Sequence, residues 1–119
     1  MRLGPPVGKH VGPSVASGTN DYGTGNKYYI RSLSSSPSPT LRLTEGQVWV
    51  FDQSDSSNDG HPFRFSTTPN GTHAGGSEYT TGVTTSGVPG QSGAFTRIEV
   101  AVGAPTLYYY CSVHSGMGG

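Results

Sequence analysis

Apolar and polar residues alternate in short blocks along this chain, and turn residues separate the blocks. Lys27-Tyr28-Tyr29-Ile30-Arg31-Ser32-Leu33 is aromatic and β-branched, which predicts a strand. Ser34 to Pro39 reads as a polar turn region. Thr40-Leu41-Arg42-Leu43-Thr44 predicts a second strand, with Leu41 and Leu43 on one face. After a Glu45-Gly46 turn, Gln47-Val48-Trp49-Val50-Phe51-Asp52 is apolar on both faces, as in a central strand. His61-Pro62-Phe63-Arg64-Phe65-Ser66 alternates, placing His61, Phe63 and Phe65 together and Arg64 outward. Phe95 to Val102 alternates with Ile98, Val100 and Val102 inward. Gly103-Ala104-Pro105 turns the chain into Thr106-Leu107-Tyr108-Tyr109-Tyr110-Cys111. An inward Cys111 brings Tyr109 and Leu107 inward with it. About six strands follow from these periods, and no segment carries a helical period.

The intervening stretches are polar. Residues 1–26 are rich in Gly, Pro, Ser, Thr and Asn without a hydrophobic period. Alone such a segment would be disordered; a partner surface is the simplest thing to order it, with crystal packing or its own domain as the alternatives. The expected organisation is therefore an extended N-terminal arm, residues 1–26, followed by a β-sandwich, residues 27–119. Asp52 to Gly60 reads as a solvated loop; its Asp52, Asp55 and Asp59 lack the terminal bidentate Glu of a calcium loop. Residues 67–94 offer little to pack, with Asn70-Gly71 as a turn signal. His10 and His73 lie in Gly-rich surroundings and read as solvated.

Composition narrows the class. A chain of 119 residues makes one modest domain. Hydrophobic content is 31%, and 19 Gly and 9 Pro favour many short strands over a helical bundle. Seven basic and seven acidic side chains cancel, and no Lys/Arg cluster appears, which argues against nucleic-acid binding. No apolar run is long enough to span a bilayer, and Met1 to Gly8 lacks the apolar stretch of a secretory signal. The single cysteine forms no internal disulfide.

That cysteine carries the chemistry. Tyr110-Cys111-Ser112-Val113-His114-Ser115-Gly116-Met117-Gly118 gathers a thiol, an imidazole and a thioether on one glycine-loosened loop after a strand. His61, at the start of another strand, supplies a second imidazole. Two imidazoles, a thiolate and a weak axial thioether suit copper, and zinc takes the same nitrogen and sulfur donors. The candidate metal ligands are thus His61, Cys111, His114 and Met117. With all four engaged no coordination position stays open, which argues against an enzyme. A Cys111–His114 nucleophile–base pair lacks a third orienting group.

The upstream His, the Cys111-Ser112-Val113-His114 spacing and the Met117 that follows resemble the cupredoxin (type 1 blue copper) family, in its short-ligand-loop form. The resemblance spans residues 27–117 and includes Leu41 to Phe51 and the Tyr-rich strand into Cys111. It implies an all-β Greek-key sandwich, a copper cofactor and those four ligands. Two departures stand out. The residue after the first His is often Asn in that family, bracing the Cys loop; here it is Pro62, which has no donor. The family also runs a further strand after the Met, so one sheet is expected to want a strand from residues 1–33 or from a neighbour.

A second resemblance covers the later half. Gly60 to Thr68, Gly71-Thr72-His73, Ser77 to Val83 and Tyr108 to Gly119 look like modules in structural proteins of marine phages, cyanophages among them. That resemblance implies a virion location and a capsid-decoration or cement role. Its partners would be other capsid subunits, or a second copy, bound through the arm and open sheet edges. The competing expectation is a soluble electron-transfer protein, periplasmic or extracellular if exported.

Overall fold

A computed structural model describes residues 8–119, and within them the fold is all-β. Nine strands occur among the described residues: β1 (Lys9–Val11), β2 (Ser14–Asn20), β3 (Gly23–Tyr29), β4 (Val48–Asp52), β5 (Phe63–Ser66), β6 (Glu78–Tyr79), β7 (Val83–Ser86), β8 (Phe95–Glu99) and β9 (Tyr108–Cys111). Two 3-10 turns, Ser56–Asn58 and Gly71–Ala74, interrupt the loops. The strands form three open sheets, ordered β1-β4-β8-β7, β2-β3 and β6-β5-β9. β1 runs parallel to β4, and the other pairs are antiparallel.

One core joins them. Trp49, Phe51 and Ile98 from the four-stranded sheet meet Phe63, Phe65, Tyr109 and Cys111 from the three-stranded sheet, with Tyr28 and Ile30 from the hairpin side. Phe63 is its centre: it stacks on Phe51 at 4.5 Å and on Tyr109 at 5.0 Å, and meets Tyr28 edge-on at 5.0 Å. Interlocked aromatic pairs of this kind contribute beyond their buried area.

The N-terminal segment finds its ordering surface in its own domain. Val11 enters the core, Pro13 is fully buried, and Val15 packs against the core from β2. The expected boundary between residues 26 and 27 falls inside β3; residues 1–7 of the expected arm lie outside the described residues.

Three expectations change. The strand placed at 27–33 is β3, which starts at Gly23 and ends at Tyr29, because Ile30 closes a turn by accepting from the Leu33 and Ser34 N–H groups. Thr40 to Thr44 joins no ladder. Its flanking backbone groups are engaged by side chains instead: the Tyr109 hydroxyl donates to the Pro39 carbonyl, and Gln47 Oε1 accepts from the Thr44 N–H. Leu41 and Leu43 still pack against the core. The inward run from Phe95 stops early: Ile98 and Val100 are buried, but Val102 is 86% exposed. Val100 exchanges backbone bonds with Gly46 and Gln47, and the chain then leaves the sheet.

Residues 67–94, read as having little to pack, supply β6, β7 and a 3-10 turn. β4 is central, between β1 and β8, as its two apolar faces predict. Truncating the hub should cost most: Phe63→Ala is expected to lower unfolding free energy by about 3–5 kcal/mol, read by urea denaturation monitored at Trp49.

Candidate metal centre

The β5–β9 pairing creates the site. Phe63 lies opposite Cys111, and Ser66 opposite Tyr108. In an antiparallel pair the start of one strand adjoins the end of the other. The residues just before β5 and just after β9 therefore emerge at one pole. The Ser112 N–H donates to the Pro62 carbonyl at 3.2 Å, extending the contact past the strands.

Three predicted ligands converge there. Cys111 Sγ lies 3.7 Å from His61 Nδ1 and 3.8 Å from His114 Nδ1, and the three ligand atoms lie within 4.8 Å of one another. Metal bonds of about 2.3 Å to sulfur and about 2.0 Å to nitrogen, at trigonal angles, set sulfur and nitrogen about 3.7 Å apart. The arrangement therefore fits three donors around a shared ion. The backbone N–H of His114 also donates to Sγ at 3.4 Å, drawing the loop in around the sulfur. His61 and Cys111 are buried, whereas His114 is exposed. Met117 is buried in the core cluster that includes Cys111.

The loop before β5 is held by a buried amide pair. Gln53 Nε2 donates to the His61 carbonyl at 2.7 Å and to Asn58 Oδ1 at 3.1 Å, while its Oε1 accepts the Phe63 N–H. Asn58 Nδ2 in turn donates to the Pro13 carbonyl. Tyr28 adds its buried hydroxyl to the His61 carbonyl at 2.7 Å, and burial pushes that phenol far above its ordinary range. His61 is thus fixed through its backbone while its ring faces the sulfur. The acidic residues of this loop serve it locally: Asp52 and Asp55 accept from the Ser54 and Ser57 N–H groups.

The loop after β9 is held from two sides. Asn70 Oδ1 accepts the Gly116 N–H at 2.8 Å, and Asn70 Nδ2 donates to Ser115 Oγ at 2.9 Å. The Gly116 carbonyl receives Lys27 Nζ at 2.8 Å and Asn20 Nδ2 at 2.9 Å. The Met117 carbonyl receives the Tyr28 N–H and Ser38 Oγ. Gly116 has φ +81, which favours glycine. At Gly118 a β-carbon would collide with the Tyr109 carbonyl. The tail after the ligand loop forms no strand but bonds Tyr28 of β3 through Met117 and Tyr109 of β9 through Gly119.

Several of these residues escaped the sequence. Asn70 read only as a turn former, yet it sits in the left-handed conformation at φ 61 and braces the ligand loop. His73 is exposed as expected, but its Nε2–H donates to the Cys111 carbonyl at 2.7 Å. Gln53 and Asn58 sit in what read as a solvated loop. An Asn-Gly step announces a turn; nothing local in it announces which distant peptide its amide will reach.

Burial holds the His61 pKa below its ordinary 6.5, with the nearby His114 adding to the effect and Asp59 opposing it. A neutral imidazole is the form that binds metal. The unfolded chain consequently takes up this proton first as pH falls. In the metal-free protein the resulting contribution to stability is complete above pH 6.5 and declines as pH drops from there toward the folded value. The expected result is a lower unfolding free energy at pH 5 than at pH 7.5, with a smaller difference in His61→Gln, measured by urea denaturation. An equal pH slope in the two proteins would exclude His61 as its source.

No protein-family model matches the chain, and neither does any curated protein or solved structure.

Proposed function

We propose that this chain is a copper-binding β-sandwich module that serves as a structural component of a virus particle, of the capsid-decoration or cement kind. The observation that carries the metal reading is the meeting of Cys111 Sγ with two Nδ1 atoms at 3.7 and 3.8 Å. Met117 is the fourth donor that the cupredoxin resemblance adds, and a thioether beside a thiolate favours copper over zinc. Bound there, copper supplies one-electron exchange and a cross-link; this chain's residues supply the fixed donors. His61 is anchored through its carbonyl and Cys111 by its strand, so an ion at this pole ties the loop before β5 to the loop after β9.

The particle reading draws on the resemblance of residues 60–119 to phage structural modules, together with the open sheet edges. Two of those edges, β1 and β2, come from the N-terminal segment and offer backbone groups to neighbouring subunits. A soluble electron carrier is the second reading, favoured by the exposure of His114, whose ring gives the site a contact with solvent.

Cupric ion added to the metal-free protein is expected to give an intense thiolate-to-copper absorption at one ion per chain, absent in Cys111→Ser. Free copper at a hundred times its dissociation constant should stabilise the fold by about 2.7 kcal/mol, read as a rise in melting temperature. A colourless protein with full copper occupancy would exclude the trigonal thiolate site. The particle role predicts that peptides of this chain co-sediment with intact particles through a density gradient; their recovery only in the soluble fraction favours the carrier.

A further inference from the structure

The Gly116 peptide is held on both of its faces by side chains from three separate places. Its N–H meets Asn70, from the loop after β5. Its carbonyl meets Asn20, at the end of β2, and Lys27, within β3. Gly116 lies between His114 and Met117, so this peptide sets the course of the ligand loop.

Each contact is costly to arrange. Asn70 adopts φ 61, a conformation that few side chains tolerate. Both ends of its amide are engaged, with Gly116 and Ser115. Asn20 is likewise saturated: Oδ1 accepts the Tyr22 N–H, and Nδ2 donates to Ser38 Oγ as well as to Gly116. Lys27 is only 3% exposed, and among the described residues no carboxylate lies within ion-pair distance of it. Burying an ammonium against a neutral carbonyl is unfavourable by itself.

We infer that Asn70, Asn20 and Lys27 are positioning residues that fix the Gly116 peptide, and so hold Cys111 and His114 ready for a metal ion before one arrives. The inference rests on the copper reading above. It assigns to Asn70, from a distant turn, a second brace of the loop besides the Ser112–Pro62 backbone bond. Fixing donors in advance removes the ordering cost from the binding step.

The test compares wild type, Asn70→Gly, Asn70→Asp and Lys27→Met. Glycine suits the left-handed backbone, so Asn70→Gly removes the two hydrogen bonds without strain. Asp keeps an oxygen for the Gly116 N–H. Cuprous affinity is measured by competition with a chromophoric chelator, the cupric form by its thiolate absorption, and the metal-free proteins by amide exchange at Gly116. Asn70→Gly is expected to bind about 10–100-fold more weakly, with a displaced thiolate band and faster Gly116 exchange. Asn70→Asp should recover most of the affinity. Lys27→Met should also bind more weakly and exchange its Gly116 amide faster, with its fold retained because an apolar stem remains. Asn70→Gly and Lys27→Met that both match wild type in affinity and band position overturn the inference alone. A wild type that binds no copper overturns the reading beneath it.

Discussion

The opposition of Phe63 and Cys111 across β5 and β9 is the constraint on which the rest depends. It places the most connected aromatic ring of the core and the only thiol on neighbouring strands at one level. A slip of one residue would turn Cys111 to the opposite face and carry Tyr109 out of the core. The stack of Phe51, Phe63 and Tyr109 resists that slip, since every ring in it is buried on the face that register selects. Packing therefore decides where the sulfur points, and the antiparallel sense decides that His61 and the following loop meet it.

Backbone fixing then turns proximity into geometry. On one side Gln53, Asn58 and Tyr28 saturate the approach to His61, reaching back to Pro13. On the other, Asn70, Asn20 and Lys27 converge on Gly116. Both groups act on main-chain atoms and leave the imidazole and thiol side chains free. Buried polar groups are tolerated when each finds a partner, and here the carbonyls of His61 and Gly116 each receive two of these side chains.

Periodicity revealed the core strands because side-chain alternation is a local property. Phe63 and Phe65, and Ile98 with Val100, are buried as their spacing predicts, while β4, read as apolar on both faces, buries Trp49 and Phe51 and leaves Val48 and Val50 half-buried. So was the convergence of His61, Cys111 and His114 legible, since residue type and spacing alone suggested a metal set. Alternation failed where the backbone's partners lie elsewhere. Leu41 and Leu43 alternate without a ladder, and Val102 alternates past the end of its sheet. Strands β1 to β3 carry few apolar residues and are held by long-range pairing and by isolated insertions such as Val11 and Pro13. The roles of Asn70, Gln53 and Asn58 depend on contacts across the fold, which no short window contains.

The hairpin β2–β3 forms a sheet of its own, and its backbone meets the β6-β5-β9 sheet by way of the tail, through the carbonyls of Met117 and Gly119. That tail is the downstream limb of the loop bearing Cys111 and His114. Loosening at the pole would thus be felt first at this seam between hairpin and sheet, while the β1–β4 pairing and the core residues Val11, Tyr28 and Ile30 keep their hold on the N-terminal strands. The spacing of three donor atoms is in this way linked to how tightly a distant hairpin closes against its neighbour.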